Sequence, residues 1–542
     1  MCYWNRILGA ALVGIALVGE GTAQSRGQLR RLEATGEEAL ADQHYAQALA
    51  TYTHLHHARP ERSRYLIQMA VCHAQLGRKK QALELLEEAT QRTDTEADLW
   101  YYLGRAYHLN HRFDEARKSY ELYKHAIDER DVERRREIDD YIRQCTNGLQ
   151  LASSPAAVEV RNLGHDINSP YAEYVPLVSN DGQELIFTSR RPNSTGGAQD
   201  PVTGTFYEDI YVSHLREGRW TPPHSLSPEV NTPFHDAAVG RSADGQKLFL
   251  YRSEGRGFVG HAEDLYVSYR NGTNWSTPVP LSARINSAFY EPSATVSPDE
   301  QWLFFSSDRP DGLGGTDLYM ARRLPDGQWA LPRNLGPRIN TPYDEESPFM
   351  HVDGRTLYFS SKGHTSVGGF DIFRTEYDPV HDEWSEPVNL GFPINTADDD
   401  LYFISNLAGT RFYFSASRDD SFGEYDIYEA QPLSIEPVVV KGLIQVKETK
   451  KPADAIVTAY NPQTGDVLGI SHTQNGAFLF ILPPGTLCEI SVRAEGYHDV
   501  RRALRLEPQV DYTLPENQIH VQLQRAEPTS VILPTSLPTR KE

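Results

Sequence analysis

The stretch INTPYDEESPFMHVDGRTLYFSSKGHTSVGGFDIFRTEYDPVHDEW, residues 339–384, decides the fold, because its parts recur on both sides of it. It opens on Ile339-Asn340-Thr341, and the same phrase stands at Ile167-Asn168-Ser169, Val230-Asn231-Thr232, Ile285-Asn286-Ser287 and Ile394-Asn395-Thr396. The asparagines are spaced by 63, 55, 54 and 55 residues. A turn follows at Asp353-Gly354, matched at Asp181-Gly182, Asp244-Gly245, Asp299-Glu300 and Ala408-Gly409. Next comes an apolar strand, Leu357-Tyr358-Phe359, matched at Leu185-Ile186-Phe187, Leu248-Phe249-Leu250, Leu303-Phe304-Phe305 and Phe412-Tyr413-Phe414. A third element begins at Asp371-Ile372-Phe373, with counterparts at Asp209-Ile210-Tyr211, Asp264-Leu265-Tyr266, Asp317-Leu318-Tyr319 and Asp426-Ile427-Tyr428. Trp220, Trp275, Trp329 and Trp384 close the first four units.

Short strands separated by turn signals at a fixed period predict a β-propeller over residues 158–433. The outer-strand phrase Pro387-Val388-Asn389-Leu390-Gly391 follows only units one to four in kind, and a stray copy, Val160-Arg161-Asn162-Leu163-Gly164, precedes unit one. That copy would complete the last blade and remove an exposed sheet edge. The count expected is five blades, with six as the alternative.

Five residues after each repeat asparagine stands an acid: Glu173, Asp236, Glu291, Glu345 and Asp400. Entering the axial strand of each blade, these acids would gather at the channel mouth as a ring able to bind Ca2+, a hard cation that takes carboxylate oxygens. They would alternatively serve glycoside hydrolysis. The plainer reading is a repeated buried ion pair, because Arg190 or Arg191, Arg252, Arg309, Lys362 and Arg418 follow 16 to 18 residues later. Hydrolysis needs one carboxyl protonated and one ionised. Only the additional acids Asp344, Glu346, Asp398 and Asp399 break the fivefold equivalence. The aspartate of Asp-Ile/Leu-Tyr is expected to be a hydrogen-bonding group at the start of its strand.

Before the propeller, a 34-residue period runs three times between Leu29 and Arg130. Its third copy carries Trp100, Leu103, Gly104, Tyr107, Ala116, Tyr120 and Tyr123; its earlier copies carry Met69, Ala70, Ala82 and Leu86, then Thr35, Gly36, Ala48 and Tyr52. Small residues at Gly36/Ala70/Gly104 and Ala48/Ala82/Ala116 predict helical hairpins that approach closely. Trp100–Tyr107 resembles the tetratricopeptide repeat signature, which implies an α-solenoid over residues 29–150 with a groove for a peptide or helix. The charged helix Asp131–Cys145 is expected to be its polar cap, and His54 and His57 to be surface residues.

Residues 1–24 read as a signal peptide, with Arg6, the apolar run Ile7–Gly19 and small residues at Gly21-Thr22-Ala23. Cys72, Cys145 and Cys488 would remain in the exported form, too few and too scattered for a disulfide framework. Downstream, short alternating strands at Val438–Ile444, Ala455–Tyr460, Phe478–Ile481, Glu489–Ala494 and Ile519–Leu523 predict a small β-domain over residues 437–525. The Pro-, Ser- and Thr-containing residues 526–542 are expected to form a disordered tail.

The 542 residues carry a net charge of −21. Such a balance excludes nucleic-acid binding through clustered basic residues. The apolar run at the N-terminus is too short to span a bilayer. No G-x-x-x-x-G-K-[ST], H-E-x-x-H or G-x-S-x-G occurs.

Ser297-Pro298-Asp299 and Ser306-Ser307-Asp308-Arg309 resemble the Pro-Asp repeat propellers of the TolB type, which are WD40-like. Asn475–Tyr497 is similar to the carboxypeptidase regulatory-like domain, a transthyretin-like β-sandwich. The order of modules resembles a Bacteroidetes envelope family that normally ends in an OmpA-type peptidoglycan-binding domain. The resemblance implies a periplasmic location, at the periplasmic face of the outer membrane or free in the periplasm. It implies a non-enzymatic scaffold for envelope proteins, held through the tetratricopeptide groove and the propeller face, in type IX secretion or gliding. The sequence stops where the OmpA-type domain would begin, so peptidoglycan contact by that route is not expected. No catalytic residue and no cofactor is expected beyond the Ca2+ alternative, and the rival to the scaffold is a glycan-binding or glycoside-hydrolysing propeller.

Overall fold

The computed structural model describes residues 25–526, except 180, 201–202, 254–262, 407–410, 434–437, 461, 463–466, 474, 483–486, 506–509, 511 and 513. The signal peptide, the tail beyond 526 and the turn at Ala408-Gly409 lie outside the described residues. Two compact units divide at Pro432/Leu433.

Among the described residues the first unit opens with seven helices: α1 (Arg26–Ala41), α2 (Tyr45–Ala58), α3 (Ser63–Gln75), α4 (Lys79–Ala89), α5 (Asp98–Leu109), α6 (Phe113–Ala126) and α7 (Val132–Ala152). Ser25 caps α1 by accepting from the Gln28 amide, and Gln28 returns a bond to the cap, satisfying donors left open at the first turn. The period explains the packing. A Cβ on Gly36 would fall 2.9 Å from the Tyr52 ring, and one on Gly104 2.7 Å from the Tyr120 ring, so glycine lets each aromatic side chain press on its hairpin partner. Helix α7 runs seven residues beyond the expected Cys145, with Gly148 against the Phe113 ring.

Five antiparallel sheets follow. Their first strands are Glu173–Val178, His235–Arg241, Ala294–Val296, Glu345–Met350 and Asp400–Ser405. Their second strands are Glu184–Ser189, Lys247–Ser253, Trp302–Ser307, Thr356–Ser361 and Phe412–Ala416. Their third strands are Asp209–Arg216, Glu263–Asn271, Asp317–Arg322, Asp371–Asp378 and Asp426–Pro432. Sheets one to four end in two-residue strands such as Val388–Asn389. Sheet five takes its fourth strand from far upstream: Val158–Asn162 pairs with Asp426–Pro432, Asn162 opposite Tyr428. The first strands pack against one another in chain order, and that of sheet five packs on that of sheet one, so the succession closes. Between the second and third strands the core is aromatic, with Phe187 stacked on Tyr211, Phe305 on Tyr319, Phe359 on Phe373 and Phe414 on Tyr428.

Among its described residues the second unit holds two sheets. One orders Ala477–Leu482, Val438–Val446 and Ile519–Leu523; the other orders Val467–His472, Ile456–Tyr460, Leu487–Arg493 and Val500–Arg505. Val440, Ile444, Phe478 and Phe480 of one meet Val457, Ala459, Ile490 and Val492 of the other in a buried core. Two strands, Val467–His472 and Val500–Arg505, exceed the sequence expectation. Both are edge strands, and Val500–Arg505 is mostly exposed, so it shows no buried alternation to read.

Candidate functional site

The repeated phrases build five junctions between sheets. Each repeat asparagine reaches back to the third strand of the preceding sheet. Asn231 accepts from the Ile210 amide (3.0 Å) and donates to its carbonyl (2.9 Å), as a strand residue would. Asn340 does the same at Leu318 and Asn395 at Ile372. Asn168 does so at Ile427, which ties sheet five to sheet one. The aspartates that open the third strands act as the sequence predicts: Asp317 accepts from the Leu313 and Gly314 amides and from Asn334, and Asp426 from Phe422, Gly423 and Asn162.

Glu173, Asp236, Glu291, Glu345 and Asp400 are fully buried within three residues of the start of each first strand. Each accepts from the backbone and the hydroxyl of the Ser or Thr four residues earlier, as Glu173 does from Ser169 (2.7 and 2.6 Å) and Glu345 from Thr341 (2.7 and 2.6 Å). Four of them also face a guanidinium: Arg191 at 3.0 Å, Arg252 at 2.6 Å, Arg309 at 3.0 Å and Arg418 at 3.1 Å. Each of these arginines donates to the carbonyl just before the repeat asparagine and lies over the aromatic ring of the third strand. The carboxylates are thus held separately, one per junction. Among the described residues, no three His, Cys, Asp or Glu side chains come close enough together to hold a metal ion. Each of the five acids expected to ring the channel mouth bonds residues of its own sheet.

Sheet four departs from this scheme. Gly363 occupies the arginine position, where a Cβ would fall 2.2 Å from Thr341 Oγ1. His364 takes over the bond to the Ile339 carbonyl (2.8 Å). Lys362, expected to pair with Glu345, instead pairs with Asp344 at 2.8 Å. Burial therefore pushes Glu345 up to about 7, against the bonds from Ser361 and Thr341 that favour its charge.

A second group, near the ring's axis, draws on all five sheets. Glu346 alternates to the opposite side of the strand from Glu345 and accepts from Thr316 Oγ1 at 3.3 Å. Burial pushes it up to about 7, with Lys362 opposing and Asp344 and Asp399 adding to the rise. Burial alone would raise Glu208 of sheet one too, but Arg190 and His235 (Nδ1 3.2 Å from Glu208) bring it well below the ordinary range. His235 is raised in turn: burial opposes its charge, and Glu208 outweighs burial. Tyr174 and Tyr402 stack with centroids 5.8 Å apart beside these carboxylates, and Tyr425 donates to Asp399 at 2.8 Å. The first strands bulge at this level, with Val175, Ser347 and Tyr402 at left-handed φ of 52°, 55° and 58°. Bulges of this kind re-aim neighbouring side chains. This group thus holds Glu346 shifted toward neutrality and Glu208 kept ionised, while burial also raises Glu345 and Asp400 at the junctions. Sequence reasoning marked Glu346 only as an extra acid and missed Glu208, Arg190 as its partner, and His235. The available signal was Glu208's place one residue before the third-strand aspartate, where sheets three to five carry Thr316, Phe370 and Tyr425.

The solenoid rests on the same sheets. His108 Nε2 donates to the Val367 carbonyl (2.6 Å), Gln144 to the Gly368 carbonyl (2.7 Å), Asn147 to the Ser366 carbonyl (2.9 Å) and Arg143 to the His364 carbonyl (3.1 Å). Tyr343 donates to Asp140 at 2.6 Å. Lys79 forms a nearly buried ion pair with Asp398 of sheet five. Helix α7 is therefore more than the polar cap expected: its polar face is a seat for the loop of sheet four. Asp398 leaves the axial group and serves this contact.

Residues 39–97 match the tetratricopeptide repeat family. No curated protein matches the chain. Among solved structures, the chain is similar to the tetratricopeptide repeat domain of Sgt2 from Aspergillus fumigatus, at 20% identity over 25% of this chain and 89% of that one, TM-score 0.22. It is similar to the type III secretion translocator chaperone SycD of Yersinia enterocolitica, solved with a peptide of the translocator YopD, at 14% identity over 24% and 98%, TM-score 0.21. It is also similar to BT0996, solved as an RGII complex, at 11% identity over 53% and 94%, TM-score 0.37. The matched segment falls within the helical hairpins, from the end of α1 to just before α5. Among the described residues no helix is long and apolar enough to cross a membrane.

Proposed function

We propose that the protein is an exported, non-enzymatic scaffold of the cell envelope that holds partner proteins in its solenoid groove and on the face of a five-bladed propeller formed by the ring. In this reading the second unit is a carboxypeptidase regulatory-like sandwich serving as a spacer or docking surface. The module order supports a periplasmic place in type IX secretion or gliding-type assembly. The observation that carries the reading is the seat between solenoid and ring. Five backbone carbonyl and tyrosine bonds and one nearly buried ion pair fix the groove to a broad second surface, as a scaffold requires. Crosslinking the tagged mature protein in the native envelope and identifying its neighbours by mass spectrometry tests this. A reproducible set of envelope components is expected; none would contradict it.

A second reading, glycan binding or hydrolysis on the ring's axis, is favoured by one observation: burial shifts Glu346 to about 7, while Arg190 and His235 hold Glu208 of the same ring well below the ordinary range. Glycan turnover abolished by both Glu346→Gln and Glu208→Gln would establish it, and absence of turnover in the unaltered protein would remove it.

A further inference from the structure

The seat on sheet four has a counterpart on sheet three. On sheet four its two segments, 341–345 and 362–370, are joined by the Lys362 amide on the Asp344 carbonyl (3.1 Å). On sheet three, segments 287–291 and 308–316 are joined likewise. The Asp308 amide donates to the Tyr290 carbonyl (3.3 Å), and the Tyr290 amide to Asp308 Oδ1 (2.8 Å). The longer segments run in register: the Val367 amide donates to Asp371 and the Leu313 amide to Asp317, each four residues ahead. Gly368 and Gly314 follow, and a Cβ on either would strike a carbonyl of the next sheet, at Ala397 and Tyr343. Equal length and equal bonding make the two sites alike in backbone.

Their coverage differs. On sheet four, Val367 is only 3% exposed, because it joins Phe113, Ala116 and Cys145 of the solenoid in one apolar cluster. The carbonyls of Ser366, Val367 and Gly368 accept from Asn147, His108 and Gln144. On sheet three, Leu313 is 50% exposed, and Phe289, in the place of Tyr343, is 42% exposed. Among the described residues no donor is bonded to the carbonyls of Gly312, Leu313 or Gly314. Apolar side chains grouped on one exposed frame mark an interaction site.

Sheet four shows what this frame accepts, a pair of packed helices, and sheet three continues that interface. Two differences select the occupant of the second site. Phe289 lacks the hydroxyl by which Tyr343 donates to Asp140, so an apolar side chain fits there and an acid does not. Asp308 and Asp311 stand where sheet four has Lys362 and Thr365, and among the described residues neither forms an ion pair. Two such carboxylates disfavour an acidic helix.

We propose that sheet three is a second seat, taken by a helical hairpin of a partner protein. An apolar side chain of the hairpin packs between Phe289 and Leu313. Two side-chain amides one helical turn apart donate to the Gly312 and Gly314 carbonyls, as Asn147 and Gln144 do on sheet four. The proposal rests on the reading of the ring's face as a docking surface and adds where the partner sits and what it presents.

Photocrosslinking in the native envelope tests this, with p-benzoylphenylalanine placed at position 313 of the full chain. The adduct is digested, and the partner peptide joined to it is sequenced by mass spectrometry. The expected peptide is helix-forming, carries Asn or Gln three residues apart beside small or apolar residues, and has no net negative charge. Phe289→Asp is expected to cut the adduct yield about tenfold or more, the loss of a buried aromatic anchor. Phe289→Leu should keep part of it, and thermal melting of each variant checks that the ring stays folded. An adduct joined through an extended or acidic segment, one formed with a second copy of this chain, or one indifferent to Phe289→Asp overturns the proposal. No adduct at 313, while the same probe at Tyr102 in the solenoid captures a partner, overturns it and leaves the scaffold reading intact. No adduct at either position overturns both.

Discussion

The junctions of sheets one, two, three and five differ from that of sheet four in one respect. In the four, an arginine closes the shell around the buried acid; in the fourth, Gly363 and His364 stand in its place and Lys362 turns to Asp344. Where the repeat is kept, an arginine faces the acid inside the sheet, although burial still raises Asp400 to about 6 beside Arg418. Where it is dropped, the freed loop 363–370 carries the solenoid and the axis beside it carries a carboxyl shifted toward neutrality. A repeat protein thus marks its contacts by where it breaks its own pattern.

The sharpest way to break this comparison is to remove an arginine from an intact junction. Arg309→Met leaves Glu291 buried and unpaired, and is expected to cost about 3–5 kcal/mol in urea unfolding of the first unit. Arg418→Met should behave alike at Asp400, while Lys362→Met, whose partner Asp344 is partly exposed, should cost less than either. Next in size is the seat: Lys79→Met strands Asp398 in a nearly buried place, for about 2–3 kcal/mol. It should also expose the segment between solenoid and ring to limited proteolysis.

A smaller effect concerns pH. Glu345 and Glu346 sit at about 7 in the folded protein against an ordinary 4.5, so the folded state binds more protons than the unfolded one between those values. Stability from this source is present below pH 4.5 and is lost as pH rises through 7. Glu346→Gln should flatten that decline by about 1 kcal/mol or more between pH 5 and 7, read from unfolding midpoints. The smallest effect expected is that of calcium. Five separately satisfied acids offer it no shared site, so melting midpoints with calcium and with a chelator should coincide; a rise with calcium would restore the ring reading.

The helical hairpins were legible because Gly36 and Gly104 must admit Tyr52 and Tyr120, which forces small residues at a fixed period. The strands of the ring were legible for a related reason: Phe and Tyr recur where second and third strands stack. The role of Ile-Asn-Ser/Thr was not, since an amide bridging to a strand of the previous sheet leaves no trace beyond its recurrence. Nor was the axial group. Glu208, Arg190, His235 and Glu346 come from three sheets, with Glu208 paired across the boundary of sheets one and two, and the sequence signal they leave is departure from a repeat, not a motif. Repeat-equivalent acids drew attention away from them, because equivalence in sequence reports a shared structural duty.

Crosslinking in the native envelope tests the central claim most directly. The account predicts a reproducible set of partners whose crosslinks fall on the solenoid and the ring. Recovery of no reproducible partner by the unaltered protein, together with glycan turnover that Glu346→Gln abolishes, would contradict it and make the ring's axis the working part of the molecule.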